Sequence, residues 1–85
     1  MNTSAHRAGE QIVDVSFTSN EMIVRLRDGR TITVPLDWYP RLAAASASQL
    51  TAWKIAGAGY GIHWPELDED ISVERLLRGE PAPKR

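Results

Sequence analysis

The residues that could do chemistry are concentrated between positions 57 and 72. This stretch of sixteen residues holds three glycines, a tyrosine, a histidine, a tryptophan and four carboxylates. His63 is close in sequence to Glu66, Asp68 and Asp70, and one imidazole with carboxylates could hold a divalent ion. The spacing matches no established metal site, and the EF-hand pattern fails because its glycine and terminal glutamate are missing. We therefore interpret the carboxylates as partners of a following helix N-terminus and predict neither metal nor cofactor.

The glycines at 57, 59 and 61 are similar to a phosphate-binding loop in composition only. A dinucleotide-binding fingerprint needs a strand before the glycines and a helix after them, whereas here a helix is predicted before and a strand after. Catalysis would need a nucleophile beside a base. The chain has no cysteine, and of its two histidines His6 falls in a polar N-terminal tail. These observations predict a protein that is not an enzyme.

Aromatic side chains are numerous for 85 residues, and four of the five Trp and Tyr residues fall in predicted loops or beside prolines. Two interpretations stay open. In the first, Trp53 and one or two others fill a core that short strands and helices cannot fill alone. In the second, some of them anchor a partner protein, because Trp and Tyr dominate interface hot spots. The candidate partner-binding residues are Trp38, Tyr39, His63, Trp64, Glu66, Asp68, Glu69 and Asp70.

Composition limits the classes of protein that need to be considered. A chain of 85 residues has room for one domain, which we place at 11–79 with flexible tails at 1–10 and 80–85. Ten Lys and Arg against eleven Asp and Glu argue against nucleic-acid binding, whose affinity comes from clustered cations. The absence of cysteine fits a reducing cytoplasm. No apolar run approaches the length needed to span a membrane, so we expect a cytoplasmic protein with no membrane contact.

Period-two alternation of apolar residues predicts a three-stranded antiparallel meander at 11–17, 21–27 and 30–35. The pattern pairs Val13 with Leu26. Between the second and third strands, a two-residue turn would expose half of the apolar side chains. A three-residue loop that ends with Gly29 in the left-handed conformation gives one apolar face across all three strands, and we adopt that register.

The second half of the chain carries helix signals. Ser46 to Gln49 has the form of a capping box and predicts a helix at 47–56. A short fourth strand is predicted at 60–64, and Ser72 is placed to cap a helix at 73–78 with Leu76 and Leu77 inward. Pro40 favours a short helical turn before these elements. The predicted fold class is α+β, with a small antiparallel meander sheet of three strands plus a short fourth strand, covered by two short helices.

The run D-G-R-T-I-T-V-P-L-D-W-Y-P-R-L at 28–42, followed by Trp53 and the block G-I-H-W-P-x-L-D-E-D-I-S at 61–72, resembles a prokaryotic family. It is similar to family twenty-four forty-two of the domains of unknown function, over about residues 11–79. The resemblance implies a small α+β fold and no agreed catalytic residues. It also implies a gene encoded beside another small protein, an arrangement interpreted as a toxin–antitoxin pair in which this domain is the antitoxin.

We therefore expect a non-catalytic protein–protein interaction module, an antitoxin-like subunit that neutralises a small toxin encoded by a neighbouring gene. An acidic rim beside an aromatic anchor would suit a basic partner surface. Two alternatives stay open. The chain could be a component of a transcriptional regulator that binds DNA through the face of Arg25, Arg27 and Arg30, or its motif residues could be structural only.

Overall fold

The computed structural model describes residues 7–81, which form two three-stranded antiparallel sheets and three short α-helices. The strands are β1 (Ile12–Phe17), β2 (Glu21–Leu26), β3 (Thr31–Pro35), β4 (Lys54–Ala56), β5 (Gly61–Trp64) and β6 (Glu69–Ser72). The helices are α1 (Pro40–Ala43), α2 (Ala47–Leu50) and α3 (Val73–Arg78), and short 3-10 turns cover Ala8–Glu10, Leu36–Trp38 and Gly57–Gly59. The α+β class is confirmed. The single sheet with an added fourth strand is wrong, because a second sheet forms.

The first sheet has the order β1-β2-β3, and its second hairpin has the predicted register. Val24 lies opposite Ile32 and Met22 opposite Val34, as the three-residue loop requires. Gly29 has φ of +96°, a left-handed conformation that glycine adopts without steric cost. Its amide donates to the Leu26 carbonyl at 3.0 Å, which closes the loop.

The start of β1 departs from the predicted alternation. Ile12 lies opposite Leu26 and Asp14 opposite Arg25, so Val13 is the extra residue of a β-bulge. A bulge places two residues opposite one partner and shifts the alternation of the side chains by one position. As a result Ile12 is buried and Val13 is 52% exposed, and the prediction that Val13 faces the core beside Leu26 is wrong.

The helix predicted at 47–56 ends at Leu50. Its capping box is present, because Ser46 Oγ accepts from the Gln49 amide at 3.2 Å and Gln49 Oε1 accepts from the Ser46 amide at 2.9 Å. Residues 54–56 leave the helix and form β4, which pairs with β5. Aromatic and β-branched residues at 51, 53 and 55 lower the helix propensity here, and pairing with β5 decides the outcome.

The second sheet has the order β4-β5-β6. The strand predicted at 60–64 is confirmed as β5, which is the central strand of this sheet. Strand β6 has no counterpart among the predicted elements, because the sequence pattern places its residues in the approach to the last helix. Glutamate and aspartate are depleted in strands, so a sequence pattern gives them little weight.

The last helix has the predicted bounds. Ser72 Oγ accepts from the Arg75 amide at 3.2 Å, and Gly79 follows the helix with φ of +72°. Leu76 is buried but Leu77 is exposed, so the prediction that both point inward is half wrong. A helix this short buries a single stripe of side chains. Here the stripe is formed by Val73 and Leu76, which are three positions apart, and Leu77 lies outside it.

One hydrophobic core joins both sheets. Its buried residues are Ile12, Val15, Met22, Val24, Leu26, Val34, Leu36, Tyr39, Leu42, Ile62, Trp64, Ile71, Val73 and Leu76. No polar or charged side chain of residues 7–81 is buried in it. No helix in this part of the chain is long and apolar enough to cross a membrane.

The last part of the N-terminal tail predicted at 1–10 is ordered. Residues 8–10 form a 3-10 turn whose Gly9 carbonyl accepts from the Asp28 amide at 2.9 Å. Glu10 also lies 3.5 Å from the Arg30 guanidinium, so this part of the predicted tail is packed on the first sheet. Glu80 and Pro81 accept hydrogen bonds through their carbonyls. Residues 1–6, with His6, and residues 82–85 lie outside the described residues.

Candidate partner-binding surface

The block at 61–72 forms a β-hairpin in which a four-residue turn, 65–68, joins β5 to β6. Trp64 and Glu69 pair at the turn, where Asp68 takes φ of +51°. Aspartate is among the few non-glycine residues found repeatedly in this left-handed region. Because side chains alternate along a strand, the hairpin divides the motif into a half that faces the core and a half that faces solvent.

The inward half holds Trp64, which is only 1% exposed. Its indole Nε1 donates to the Leu50 carbonyl at 3.0 Å, so the hairpin is fastened to the end of α2. Ile62 and Ile71 pair across the strands on the same face and are also buried. The expectation that Trp64 is an exposed anchor is therefore wrong. A small core needs large side chains, and a tryptophan whose N–H has an acceptor can supply one.

The neighbouring aromatic residues Trp38 and Tyr39 differ in burial. Tyr39 is 2% exposed, and its hydroxyl donates to the Glu80 carbonyl at 3.4 Å. Burial raises the pKa of the Tyr39 phenol, with the nearby Arg75 charge acting against it. Tyr39 therefore belongs to the core and is not a surface anchor. Trp38 is half-buried and packs against the core from its 3-10 turn, so part of its ring stays accessible.

Arg41 holds the turn of the hairpin from α1. Its Nη1 donates to the Asp68 carbonyl at 2.6 Å and lies 3.9 Å from a carboxylate oxygen of both Asp68 and Glu69. Glu69 is largely buried beside it. In the sequence, only the opposite charges of Arg41 and of Asp68 and Glu69 suggest this contact. The contact itself forms because folding brings α1 to the turn of the hairpin. Arg41 was therefore missed as a residue that positions the motif.

The outward half carries a polar row across the second sheet. Lys54 of β4 pairs with His63 of β5, which in turn pairs with Asp70 of β6. His63 Nδ1 donates to Asp70 Oδ1 at 2.7 Å, a short hydrogen bond that fixes the orientation of the imidazole. Lys54 was not among the sequence candidates, because it was placed in a helix.

Three carboxylates of the hairpin face solvent, and we call Glu66, Asp68 and Asp70 the acidic patch. The side chains of Asp68 and Asp70 are 95% and 71% exposed. Glu66 is exposed, and it has no hydrogen bond or ion pair with any residue of the described chain. No group of three or more His, Cys, Asp or Glu residues within 7–81 is arranged to hold a metal ion. The patch thus offers negative charge and hydrogen-bond acceptors on a hairpin fixed from below.

The structure brings five of the eight candidate residues together on this hairpin. Four of them, His63, Glu66, Asp68 and Asp70, are exposed at least in part, whereas Glu69 is largely buried beside Arg41. Trp64 lies beneath the same hairpin in the core. Trp38 and Tyr39 lie on another segment, at the 3-10 turn before α1.

Comparison with known proteins gives a family and two similar structures. The family model described as "Protein of unknown function (DUF2442)" matches residues 12–82. A crystal structure of a protein of unknown function from Rhodospirillum rubrum is 36% identical, with a TM-score of 0.74 over 87% of this chain and 92% of that one.

A solution NMR structure of an uncharacterized protein from Chromobacterium violaceum is 24% identical and shares the fold. Its TM-score is 0.73, over 86% of this chain and 69% of that one. No curated protein matches the chain.

Proposed function

This chain belongs to the DUF2442 family of proteins of unknown function, and we propose that it is a protein-binding module that recognises a basic partner through its acidic patch. The observation that carries the proposal is the exposure of Glu66, Asp68 and Asp70 on a hairpin whose inner face is buried. The hairpin that carries these side chains is already held in place by Trp64 and Arg41, so its backbone loses little conformational freedom on binding.

The chemistry of the patch favours a partner rich in Lys and Arg. Exposed carboxylates steer a basic surface toward the complex and raise the association rate. The burial of Trp64 removes the apolar anchor expected on this face. We therefore expect an interaction governed by charge, which weakens strongly as the ionic strength rises.

The DNA-binding alternative receives less support from the same charges. The acidic patch repels phosphate, and the arginines of the first sheet are partly engaged within the chain. Arg30 lies 2.8 Å from Asp28 and 3.5 Å from Glu10, and Arg27 donates to the Gln11 side chain. Nucleic-acid affinity depends on clustered and available cations.

The most specific form of the proposal is an antitoxin-like subunit that acts by occlusion. In this form the chain covers the working surface of a small basic toxin, and it makes and breaks no bond itself. Its support is the family resemblance together with the acidic patch. A nuclease that binds phosphate would present a suitable basic surface.

The test is co-expression with the neighbouring gene, followed by growth measurement and co-purification. Glu66→Lys reverses the charge of a side chain that has no hydrogen bond or ion pair within residues 7–81, and we expect it to weaken the complex about tenfold at low salt. Glu21→Lys is the matched control, since Glu21 is an exposed glutamate on the first sheet.

Equal weakening by the two substitutions would contradict recognition through the acidic patch. If the neighbouring protein shows neither toxicity nor complex formation, the antitoxin role is excluded. Complex formation without toxicity would retain the binding module and exclude only the antitoxin form.

A further inference from the structure

We propose that a second site, separate from the acidic patch, binds a small aliphatic carboxylate in a cavity between the start of β1 and the loop that joins β4 to β5. The cavity is open to solvent and has a volume of about 270 Å³. It is lined by Gln11, Ile12, Val13, Arg27 and Gly59. None of these residues belongs to the acidic patch, so the two sites can be tested independently.

Arg27 supplies the positive charge. It is exposed, and its Nη1 donates to the side-chain carbonyl of Gln11. Among residues 7–81 no carboxylate pairs with it, in contrast to Arg30 and Arg41. A guanidinium has five N–H donors in a planar fork that matches a carboxylate. Arg27 therefore has both the charge and the unused donors that an anion requires.

Gln11 holds the wall of the cavity in place. Its Nε2 donates to the Ala58 carbonyl at 2.9 Å while its Oε1 accepts from Arg27. Ala58 has φ of +58° and ψ of +29°, a conformation that alanine seldom adopts. Gly59 has φ of +99°, and a Cβ there would lie 3.1 Å from Gln11 Cγ, so a larger residue would strain the backbone and crowd Gln11. Strained backbone of this kind clusters at ligand sites.

The bulge of β1 supplies an apolar wall. Ile12 is buried beneath the cavity and Val13 is half exposed at its side. Sites for drug-sized ligands measure about 300–1,000 Å³, and this cavity lies just below that range, so it suits a small ligand about the size of one amino acid. The ligand chemistry is therefore a carboxylate that carries a short branched aliphatic group. Such a group can be a free small molecule or the C-terminal residue of a peptide.

The test is an NMR titration of the ¹⁵N-labelled protein with N-acetylvaline. We expect saturable shifts at the amides of Val13 and Gly59, with weak affinity typical of a fragment. Arg27→Gln should weaken binding about tenfold, since a charge-assisted hydrogen bond is lost. Arg25→Gln is the matched control, because Arg25 lies two residues before Arg27, within β2, where it pairs across the sheet with Asp14 and Thr31 and does not line the cavity. Arg27→Lys retains the charge and should give an intermediate loss.

Two further ligands separate the contribution of the carboxylate from that of the aliphatic group. N-acetylvalinamide lacks the carboxylate and inorganic phosphate lacks the aliphatic group, and we expect both to bind more weakly than N-acetylvaline. Equal binding of the amide, wild-type affinity in Arg27→Gln, or shifts confined to residues outside the cavity would each overturn the proposal. A longer peptide that ends in valine distinguishes the sources. Tighter binding than N-acetylvaline assigns the site to a chain end, and equal binding assigns it to a free carboxylate.

Discussion

The substitution Trp64→Phe tests whether the motif tryptophan is part of the core. Tryptophan to phenylalanine removes about three heavy atoms, of which the two carbons contribute about 1.5 kcal/mol at ~0.8 kcal/mol per buried CH₂ group. Loss of the Nε1 hydrogen bond to the Leu50 carbonyl adds about 1 kcal/mol. We expect the free energy of unfolding to fall by about 2.5 kcal/mol.

Phenylalanine is a more informative replacement for Trp64 than alanine, because alanine removes most of the buried side chain. Trp→Ala in a core costs about 3–5 kcal/mol, whereas a domain of 85 residues has a total stability of about 4–13 kcal/mol. At the lower end of that range Trp64→Ala unfolds the protein, and a loss of partner binding would then report that unfolding.

The assay is urea unfolding followed by far-ultraviolet circular dichroism. Trp38→Phe is the control, since Trp38 is half-buried and its indole makes no hydrogen bond within residues 7–81. We expect it to cost less than about 1.5 kcal/mol. A loss below about 1 kcal/mol for Trp64→Phe, or one no larger than the loss for Trp38→Phe, would refute the assignment of Trp64 to the core.

The remaining predictions concern pH and glycine conformation. Burial raises the pKa of Tyr39, so the unfolded state loses its phenolic proton first, and stability falls as the pH rises above about 10. Thermal melts from pH 9 to 11 should show a smaller fall in Tyr39→Phe. The pKa of Asp28 is lowered, chiefly by the Arg30 amide, so this contribution is present above about pH 4 and is lost as the pH falls. Acid titration of stability should be flatter in Asp28→Asn. Gly29→Ala should cost about 1 kcal/mol in urea unfolding because of its φ of +96°, whereas Gly61→Ala, where a Cβ meets only ordinary contacts, should be tolerated.

Local signals predict the second hairpin of the first sheet and the bounds of the last helix. The loop at Gly29 follows from a requirement that both hairpins share one apolar face, and the helix at 73–78 follows from a serine cap and a terminal glycine. The bulge at Val13 leaves no such signal, because Ile12 and Val13 are both β-branched and either could face the core.

The second sheet depends on contacts between segments, and this is why it was not predicted. Strand β4 has three residues, and it follows a helix whose capping box predicts a longer one. Strand β6 begins with two acidic residues and exists through its pairing with β5. A signal for the burial of Trp64 was present nevertheless. Ile62 and Trp64 are two positions apart and therefore share a face of the strand.

Because the β5–β6 hairpin has one buried and one exposed face, only some substitutions in it can report on function alone. Changes at Trp64 or Arg41 alter how the hairpin is held, so they alter stability and recognition together. Glu66 forms no hydrogen bond or ion pair within residues 7–81, and its replacement leaves those supports in place. A loss of binding in Glu66→Lys with unchanged stability can arise only at the surface. The exposed half of the motif is therefore where a function of this family can be separated from its fold.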